Sequence, residues 1–339
     1  MKIAVVFDTP HAGWDDADFR REMEAGVEEA EYEVAGALAS RGHDVRLIGV
    51  RTDLKCLIDR LRAFQPDLVF NCAEGFNGNP ALDYLFPALF EAEGYRYTGS
   101  PPLALLTTRN KAMSKKVLAY HGIRVPGFRT YRPGEAVGEI SDLSFPVIVK
   151  PLSEDASIGI SGASVVRDPG ELAARVAFIH ERFRQPAIAE EFVDGRELYV
   201  SILGNGSDLV ILPIVETVWD KRRTRPEERI ATHLAKWDLA YRERKGIRNV
   251  FARPIPRAAR QRIAAICATA YRALWLRDYA RLDVRLTPDG DVWVIEANAN
   301  PFISFGHDMA NAAEKAGLDY PAFIQRIVDE AVRRYDAEP

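Results

Sequence analysis

The 339 residues suffice for two or three packed units rather than a single core. A hydrophobic content of 47%, a charged content of 28% and a formal net charge of -4 are those of an ordinary soluble globular protein, and they leave no electrostatic footprint for a nucleic-acid partner. No apolar run approaches the roughly 18 residues that a membrane span needs, so no membrane partner is expected.

The N-terminus, Met1-Lys2-Ile3-Ala4-Val5-Val6-Phe7-Asp8, passes straight into a strand pattern, so no signal peptide is expected. Residues 3–7 form a short apolar run, and residues 15–40 carry apolar side chains at helical spacing. A strand follows at 45–50, a helix at 54–64, a strand at 68–71 and a helix at 81–91. Such repetition predicts a parallel, doubly wound sheet with its ligand edge beyond the carboxyl ends of the strands, at residues 8–11 and 71–78. Thr98-Gly99-Ser100-Pro101-Pro102 reads as a turn at a domain edge, and residues 111–121 as a helix. Strands at 146–151, 163–166 and 187–191 and a helix at 171–183 suggest a small mixed unit of a four-stranded kind.

From Arg196 the pattern becomes antiparallel. Strands at 198–203 and 209–214 flank Gly204-Asn205-Gly206-Ser207, a hairpin turn that lacks the strand-to-helix context of a phosphate loop. Residues 220–248 are polar and predicted to be loop-rich and mobile, with Lys221-Arg222-Arg223 solvated. An amphipathic helix at 257–275 precedes a hairpin of strands 280–286 and 292–297 around Pro288-Asp289-Gly290. Residues 320–334 form a closing helix with apolar Phe323, Ile324, Ile327, Val328 and Ala331. The cysteines, Cys56, Cys72 and Cys267, stand far apart without metal-ligand spacing, as expected for reduced thiols in a cytoplasmic protein. Three units are predicted, over residues 1–105, 106–196 and 197–339.

Residues with chemical potential concentrate late in the chain. On the second hairpin Glu296 and Asn298 share a face by strand alternation, and pairing with the Asp283 strand brings three oxygen donors together. Such donors suit Mg²⁺, which sits on one or two carboxylates plus substrate phosphates; the alternative is that Arg281 or Arg285 satisfies the carboxylates. Lys150 ends an apolar strand before a loop with Ser153, Ser157, Gly159 and Gly162, a setting suited to phosphate, or else it is an ordinary strand-terminal lysine. The run Ala189-Glu190-Glu191-Phe192-Val193-Asp194-Gly195-Arg196-Glu197 fits either an adenine and ribose or an edge strand with solvated acids.

The order and spacing of these pieces resemble the ATP-grasp superfamily, and within it the D-alanine–D-alanine ligase branch. The resemblance rests on Tyr97-Thr98-Gly99-Ser100, Lys111, Phe145-Pro146-Val147-Ile148-Val149-Lys150-Pro151, Ala189-Glu190-Glu191-Phe192, Glu197, Lys236, Arg281-Leu282-Asp283-Val284 and Glu296-Ala297-Asn298-Ala299-Asn300-Pro301. It implies an ATP-grasp fold, an α/β N-terminal domain followed by two α+β subdomains that clasp ATP. It also implies that Lys111, Lys150 and Lys236 contact phosphates, with Ser157 in the phosphate loop. Glu190, Glu191 and Val193 are then expected to meet the adenine beside Phe192, and Glu197 the ribose. Asp283, Glu296 and Asn298 are expected to hold two Mg²⁺ ions, with Mn²⁺ as a substitute, and Arg281 to stabilise the tetrahedral intermediate. The family reaction makes an acyl phosphate from a small-molecule carboxylate and then an amide with an amine. A homodimer is expected by resemblance alone.

The substrate side departs from the branch. Asp8-Thr9-Pro10-His11-Ala12-Gly13-Trp14 lacks the family's Gly-Gly…Ser…Glu segment. The phosphate loop reads Glu154-Asp155-Ala156-Ser157-Ile158-Gly159 where the family has Glu-Gly-Ser-Ser-x-Gly, and Trp237 stands for a tyrosine. Phe302 replaces a glycine and His307 a serine. Asn71, Glu74, Asn300 and His307 are the candidate substrate contacts, each with a solvated polar residue as its alternative. The leading expectation is therefore a carboxylate–amine ligase for an amino acid or small peptide-like substrate other than D-alanine. Its rivals are a D-alanine–D-alanine ligase and an ATP-binding protein without ligase activity.

Overall fold

The computed structural model describes residues 1–9, 19, 29–135, 137–138, 142–155 and 157–337. The predicted loop at Pro10 to Trp14, most of the helical pattern before residue 29, and Ala156 lie outside them. Three parallel strands, β1 (Lys2–Asp8), β2 (Asp44–Val50) and β3 (Leu68–Asn71), open the chain in the order β2-β1-β3, as the alternation predicted. Ile3, Val5 and Phe7 face one core and Ala4 and Val6 another, the period-two signature of a sheet covered on both sides. Helix α1 (Ala30–Ser40) covers the first face; α2 (Leu54–Phe64), capped by the Asp53 carboxylate on the Lys55 and Cys56 N–H groups, covers the second. The expected helix at 81–91 divides into a 3₁₀ turn at Pro80–Leu82 and α3 (Leu85–Glu93).

The turn at Pro101-Pro102 does more than mark an edge. Proline fits the first turn of a helix, and α4 (Pro102–Arg109) starts there. Asn110 then breaks and recaps the chain, its side chain accepting the Met113 N–H at the start of α5 (Lys111–Tyr120).

The four-stranded expectation holds for the second sheet. Strands β4 (Phe128–Tyr131), β5 (Val147–Pro151), β6 (Val165–Val166) and β7 (Ala187–Glu191) lie in the order β4-β7-β5-β6, backed by α6 (Pro169–Phe183). Strand β6 is shorter than predicted because Gly162–Ser164 winds into a 3₁₀ turn.

The third sheet is six-stranded and antiparallel, built on β8 (Arg196–Leu203), β12 (Tyr279–Leu286) and β13 (Val292–Asn298). A short β9 (Val210–Ile211) pairs with β8 across the predicted hairpin turn; β10 (Val215–Val218) and β11 (Arg248–Phe251) extend the sheet at its far side. The polar stretch 220–248 is not featureless: α7 (His233–Trp237) and α8 (Leu239–Lys245) are capped by the side chains of Thr232 and Asp238. Helix α9 (Arg257–Ala273) packs under β8 and β12 through Ile263, Cys267, Ala270 and Tyr271. After α10 (Asp308–Lys315), the closing helix α11 (Tyr320–Ala337) returns to the first sheet, where Phe323, Ile324, Ile327 and Val328 join the core of Ile3, Val5 and Leu68. Among the described residues no helix is long and apolar enough to cross a membrane.

Asp278, fully buried, ties these parts together. Its carboxylate accepts the Gly99 N–H at 2.8 Å, the Asn205 amide at 2.9 Å and the Arg334 guanidinium at 3.0 Å. Arg334 also donates to the Tyr97 carbonyl at 2.9 Å. The first sheet, the β8–β9 turn and α11 thus share one buried acid. Asp278→Ala leaves the Arg334 charge unpaired and is expected to lower the unfolding free energy by about 3–5 kcal/mol, read by urea denaturation; an unchanged midpoint would remove Asp278 from this role.

Candidate active site

The polar residues of the third sheet share one face. Leu198, Val200, Ile202, Leu282 and Val284 point to α9, so Glu197, Tyr199, Arg281, Asp283 and Arg285 point away from it. Strand β13 reaches this arrangement only through a bulge. Unbroken alternation would place Val292, Val294, Glu296 and Asn298 together on one face. Instead the register jumps: Val294 opposes Val284, Glu296 opposes Asp283 and Asn298 opposes Arg281, leaving Ile295 as the extra residue. Val294 therefore enters the core while Glu296 and Asn298 turn outward beside Asp283. The freed Ile295 carbonyl accepts the Lys115 ammonium at 2.6 Å. Lys115 has no motif of its own, and its one sequence signal is its place one turn beyond Lys111 on the same helix face.

Opposite charges fill the space between the second and third sheets. Glu190, 1% exposed, pairs with Lys150 at 2.7 Å and with Lys115 at 3.5 Å. Lys111 pairs with Glu296 at 3.2 Å, Arg281 with Asp283 at 2.7 Å, and Arg285 with Glu197 at 2.5 Å. Arginine partners are thus present as the sequence alternative foresaw, but Arg285 chooses Glu197, and Glu296 takes a lysine. Burial opposes the charge on Glu296, yet Lys111, Lys236 and Lys150 outweigh it and hold the carboxyl at about 2. Burial wins at Lys115, whose ammonium falls to about 8 despite Glu190. Burial likewise disfavours the Glu190 carboxylate, but Lys115 and Lys150 bring it below its usual range.

Two adjoining cavities share lining residues at this face. A narrow slot of about 80 Å³ is lined by Lys150, Ser157, Glu190, Glu191, Phe192, Val193, Glu197, Lys236, Asp283 and Glu296. It adjoins a cleft of about 1340 Å³ that shares Lys236 and Glu296 and adds Glu74, Arg281, Asn298, Asn300, Phe302 and His307. Lys111 lies behind both, its ammonium on the Glu154 carbonyl as well as on Glu296. Asn71 is not brought to the cleft: it is buried, and its amide oxygen accepts the Ala73 N–H at 3.3 Å. Asn300 braces the cleft wall, bonded to Tyr279, Ala73 and Asn298. His307 meets Phe302 edge to face at 4.5 Å. The Glu191 side chain turns to the Ser144 N–H at 2.8 Å.

The loop after β5 is a tight turn, with the Ile158 and Ile160 N–H groups donating to the Asp155 and Ser157 carbonyls at 3.0 Å. Ser157 and Gly159 both adopt positive φ, and a Cβ on Gly159 would meet Pro151 at 2.6 Å. Asp155, an unexpected acid in this loop, is paired with Arg109 at 2.9 Å. Among the described residues no group of three or more His, Cys, Asp or Glu side chains converges on one point. Two carboxylates and an amide remain compatible with a magnesium site that takes its other ligands from phosphates.

Residues 113–329 match the family model described as D-ala D-ala ligase C-terminus. A protein of Sinorhizobium fredii, itself uncharacterised, is 34% identical over 311 residues, covering 89% of this chain and 87% of its own. A D-alanine–D-alanine ligase of Moorella thermoacetica is 30% identical over 341 residues, covering 98% of this chain and 99% of its own. Among solved structures, the D-alanine–D-alanine ligase of Bacillus anthracis complexed with ATP superposes with a TM-score of 0.75 at 21% identity, over 100% of both chains. The VanG D-Ala:D-Ser ligase of Enterococcus faecalis gives 0.72 at 21% identity, over 97% of this chain and 99% of its own. The mixed parallel and antiparallel sheets are those of the ATP-grasp fold.

Lys115→Met removes the donor from the bulge carbonyl and one counter-charge from Glu190. It is expected to lower the unfolding free energy by about 1–3 kcal/mol in urea; wild-type stability would show that the bulge does not depend on this lysine.

Proposed function

The chain belongs to the D-alanine–D-alanine ligase family, and on that premise we propose that it is an ATP-dependent carboxylate–amine ligase whose substrate is an amino acid or small peptide-like compound other than D-alanine. One observation carries the reading: the Lys150–Glu190 pair, Lys236, Asp283 and Glu296 line a slot that adjoins a much larger cleft at Lys236 and Glu296. Phosphoryl transfer asks for cations around the equatorial oxygens and little covalent help, which is the chemistry such a face supplies.

In this reading Lys150, Lys236 and Lys111 bind the phosphates with Ser157, and Glu190 to Val193 with Glu197 form the nucleoside wall. Asp283, Glu296 and Asn298 would hold Mg²⁺, with two ions or with Mn²⁺ in its place, supplying charge neutralisation to the phosphates. A substrate carboxylate oxygen attacks the γ-phosphorus and ADP leaves. The amine nitrogen then attacks the acyl carbon, Arg281 stabilises the developing oxyanion, and collapse breaks the C–O bond and expels phosphate, which takes up the proton the amine nitrogen loses as the amide forms. Water must be kept from the acyl phosphate, and α7 and α8 of the 220–248 segment, whose Lys236, Trp237 and Leu239 line the cleft, would serve as the lid. The units 1–105, 106–196 and 197–339 correspond to the N-terminal domain and the two subdomains that hold the nucleotide.

The departure from D-alanine rests on Trp237 and Phe302, both partly exposed in the cleft, and on His307 against the Phe302 ring. A second reading, D-alanine–D-alanine ligation itself, is favoured by the full-length match to the Moorella thermoacetica enzyme. Incubation with ATP, Mg²⁺ and pools of amino acids, followed by phosphate release and product mass, separates the two. A new amide product without D-alanyl-D-alanine is expected. Efficient D-alanyl-D-alanine formation would favour the second reading, and ATP binding without phosphate release from any pool would argue against a ligase. Glu296→Gln is expected to lower turnover by at least about a hundredfold with the fold intact; unchanged turnover would remove Glu296 from the site.

A further inference from the structure

Arg109 is a residue that the family resemblance gives no role, yet it stands at the junction of three segments. It is the last residue of α4, two positions before Lys111. Its guanidinium is committed at both ends, with Nη2 2.6 Å from Asp83 and Nη1 2.9 Å from Asp155. The Arg109 and Asp83 side chains are 12% and 8% exposed, whereas Asp155 is 48% exposed at the rim of the cleft. Asp83 follows the 3₁₀ turn at Pro80–Leu82 in the N-terminal part of the chain; Asp155 lies in the loop that follows β5. One arginine therefore joins the wall of the cleft to the start of that loop.

The rest of the loop entry is fastened by other means. The Lys111 N–H donates to the Leu152 carbonyl at 3.3 Å, and its ammonium donates to the Glu154 carbonyl. Gln185 accepts the Ser153 N–H at 2.9 Å and donates to the Glu154 carboxylate at 2.7 Å. These contacts fix residues 152–154 to α5 and to the end of α6, but none reaches Asp83. Arg109 also has an electrostatic task. Asp8, Glu74, Asp83, Arg109 and Asp155 all line the cleft, and Lys111 and Arg109 are the cations that offset the Asp155 charge, of which Arg109 alone is in contact with its carboxylate. An aspartate left unpaired beside polyphosphate would repel it.

We propose that Arg109 is a positioning residue for the phosphate loop: by bridging Asp83 and Asp155 it docks the loop against the N-terminal wall and cancels the Asp155 charge beside the ATP phosphates. This rests on the ligase reading above. Arg109 acts here through Asp155 rather than by touching phosphate, because both ends of its fork are already occupied.

That distinction sets the test. Titration calorimetry with Mg²⁺–ATP, together with steady-state KM and kcat, is applied to wild type, Arg109→Ala, Asp155→Ala and the Arg109→Ala/Asp155→Ala pair. Arg109→Ala is expected to weaken ATP binding by at least about tenfold. Removing Asp155 as well is expected to restore part of that loss, because the charge left unpaired beside the phosphates goes with it, while Asp83 has lost Arg109 in both variants. A double variant as weak as Arg109→Ala would overturn the proposal, as would Arg109→Ala with wild-type affinity. Where Arg109→Ala does not fold, Arg109→Lys keeps one charge but cannot span both carboxylates. A loss there that Asp155→Ala reverses supports the proposal, and unchanged affinity overturns it. Wild type that fails to bind Mg²⁺–ATP would sink the ligase reading itself, a result distinct from wild type that binds ATP with no dependence on Arg109.

Discussion

A single extra residue in β13 decides where the chemistry sits. With Ile295 bulged out of the ladder, Val294 stays in the core and Glu296 turns to stand beside Asp283. Without it, strand alternation would send Glu296 to the same side as Val294, against α9. The cost of a bulge is an unpaired backbone group, and here a buried lysine supplies the missing partner. Lys115 then needs a counter-charge, which Glu190 provides, and Glu190 in turn holds Lys150. The position of one carboxylate thus propagates through a chain of buried charges from the third sheet to the second.

Such an array is a poor source of stability. Desolvating several ammonium and carboxylate groups offsets much of their mutual attraction, and well-packed apolar side chains of similar volume often do as well. What the array achieves is a fixed pattern of charge in a place from which water is largely excluded. Perturbed groups gathered beside a cavity mark a candidate functional site. Against the opposing effect of burial, Lys111, Lys236 and Lys150 hold the Glu296 carboxyl below its usual range, which keeps it ionised, as the proposed metal site requires. The apolar faces of β8 and β12 anchor the pattern to α9, and Asp278 fixes the first sheet and α11 to the same frame.

Much of this was legible in the sequence. Strand–helix alternation over the first hundred residues predicted the parallel sheet, and strand alternation predicted that Glu296 and Asn298 share a face. Both follow from periodicity, which local residue types encode. The bulge was not legible, because Val292-Trp293-Val294-Ile295 reads as an unbroken apolar strand whichever residue is extra. Partner choice was not legible either: Arg281 and Arg285 were equal candidates for Asp283, and only the register with β8 gives Arg285 to Glu197. Asn71 looked like a ligand contact on the binding edge but serves its own loop, a local hydrogen bond that polarity alone does not reveal. Helices α7 and α8 were hidden in a polar stretch, although Thr232 and Asp238 are ordinary capping residues.

The central claim is that Glu296, aimed by the bulge, completes a cation-dependent nucleotide site. Titration of ATP into wild type and Glu296→Gln, each with and without Mg²⁺, tests it most directly. The account predicts that Mg²⁺ tightens ATP binding to wild type by at least about tenfold, and that Glu296→Gln loses this enhancement while remaining folded. An equal Mg²⁺ enhancement in both proteins, or ATP binding indifferent to Mg²⁺ in wild type, would contradict it.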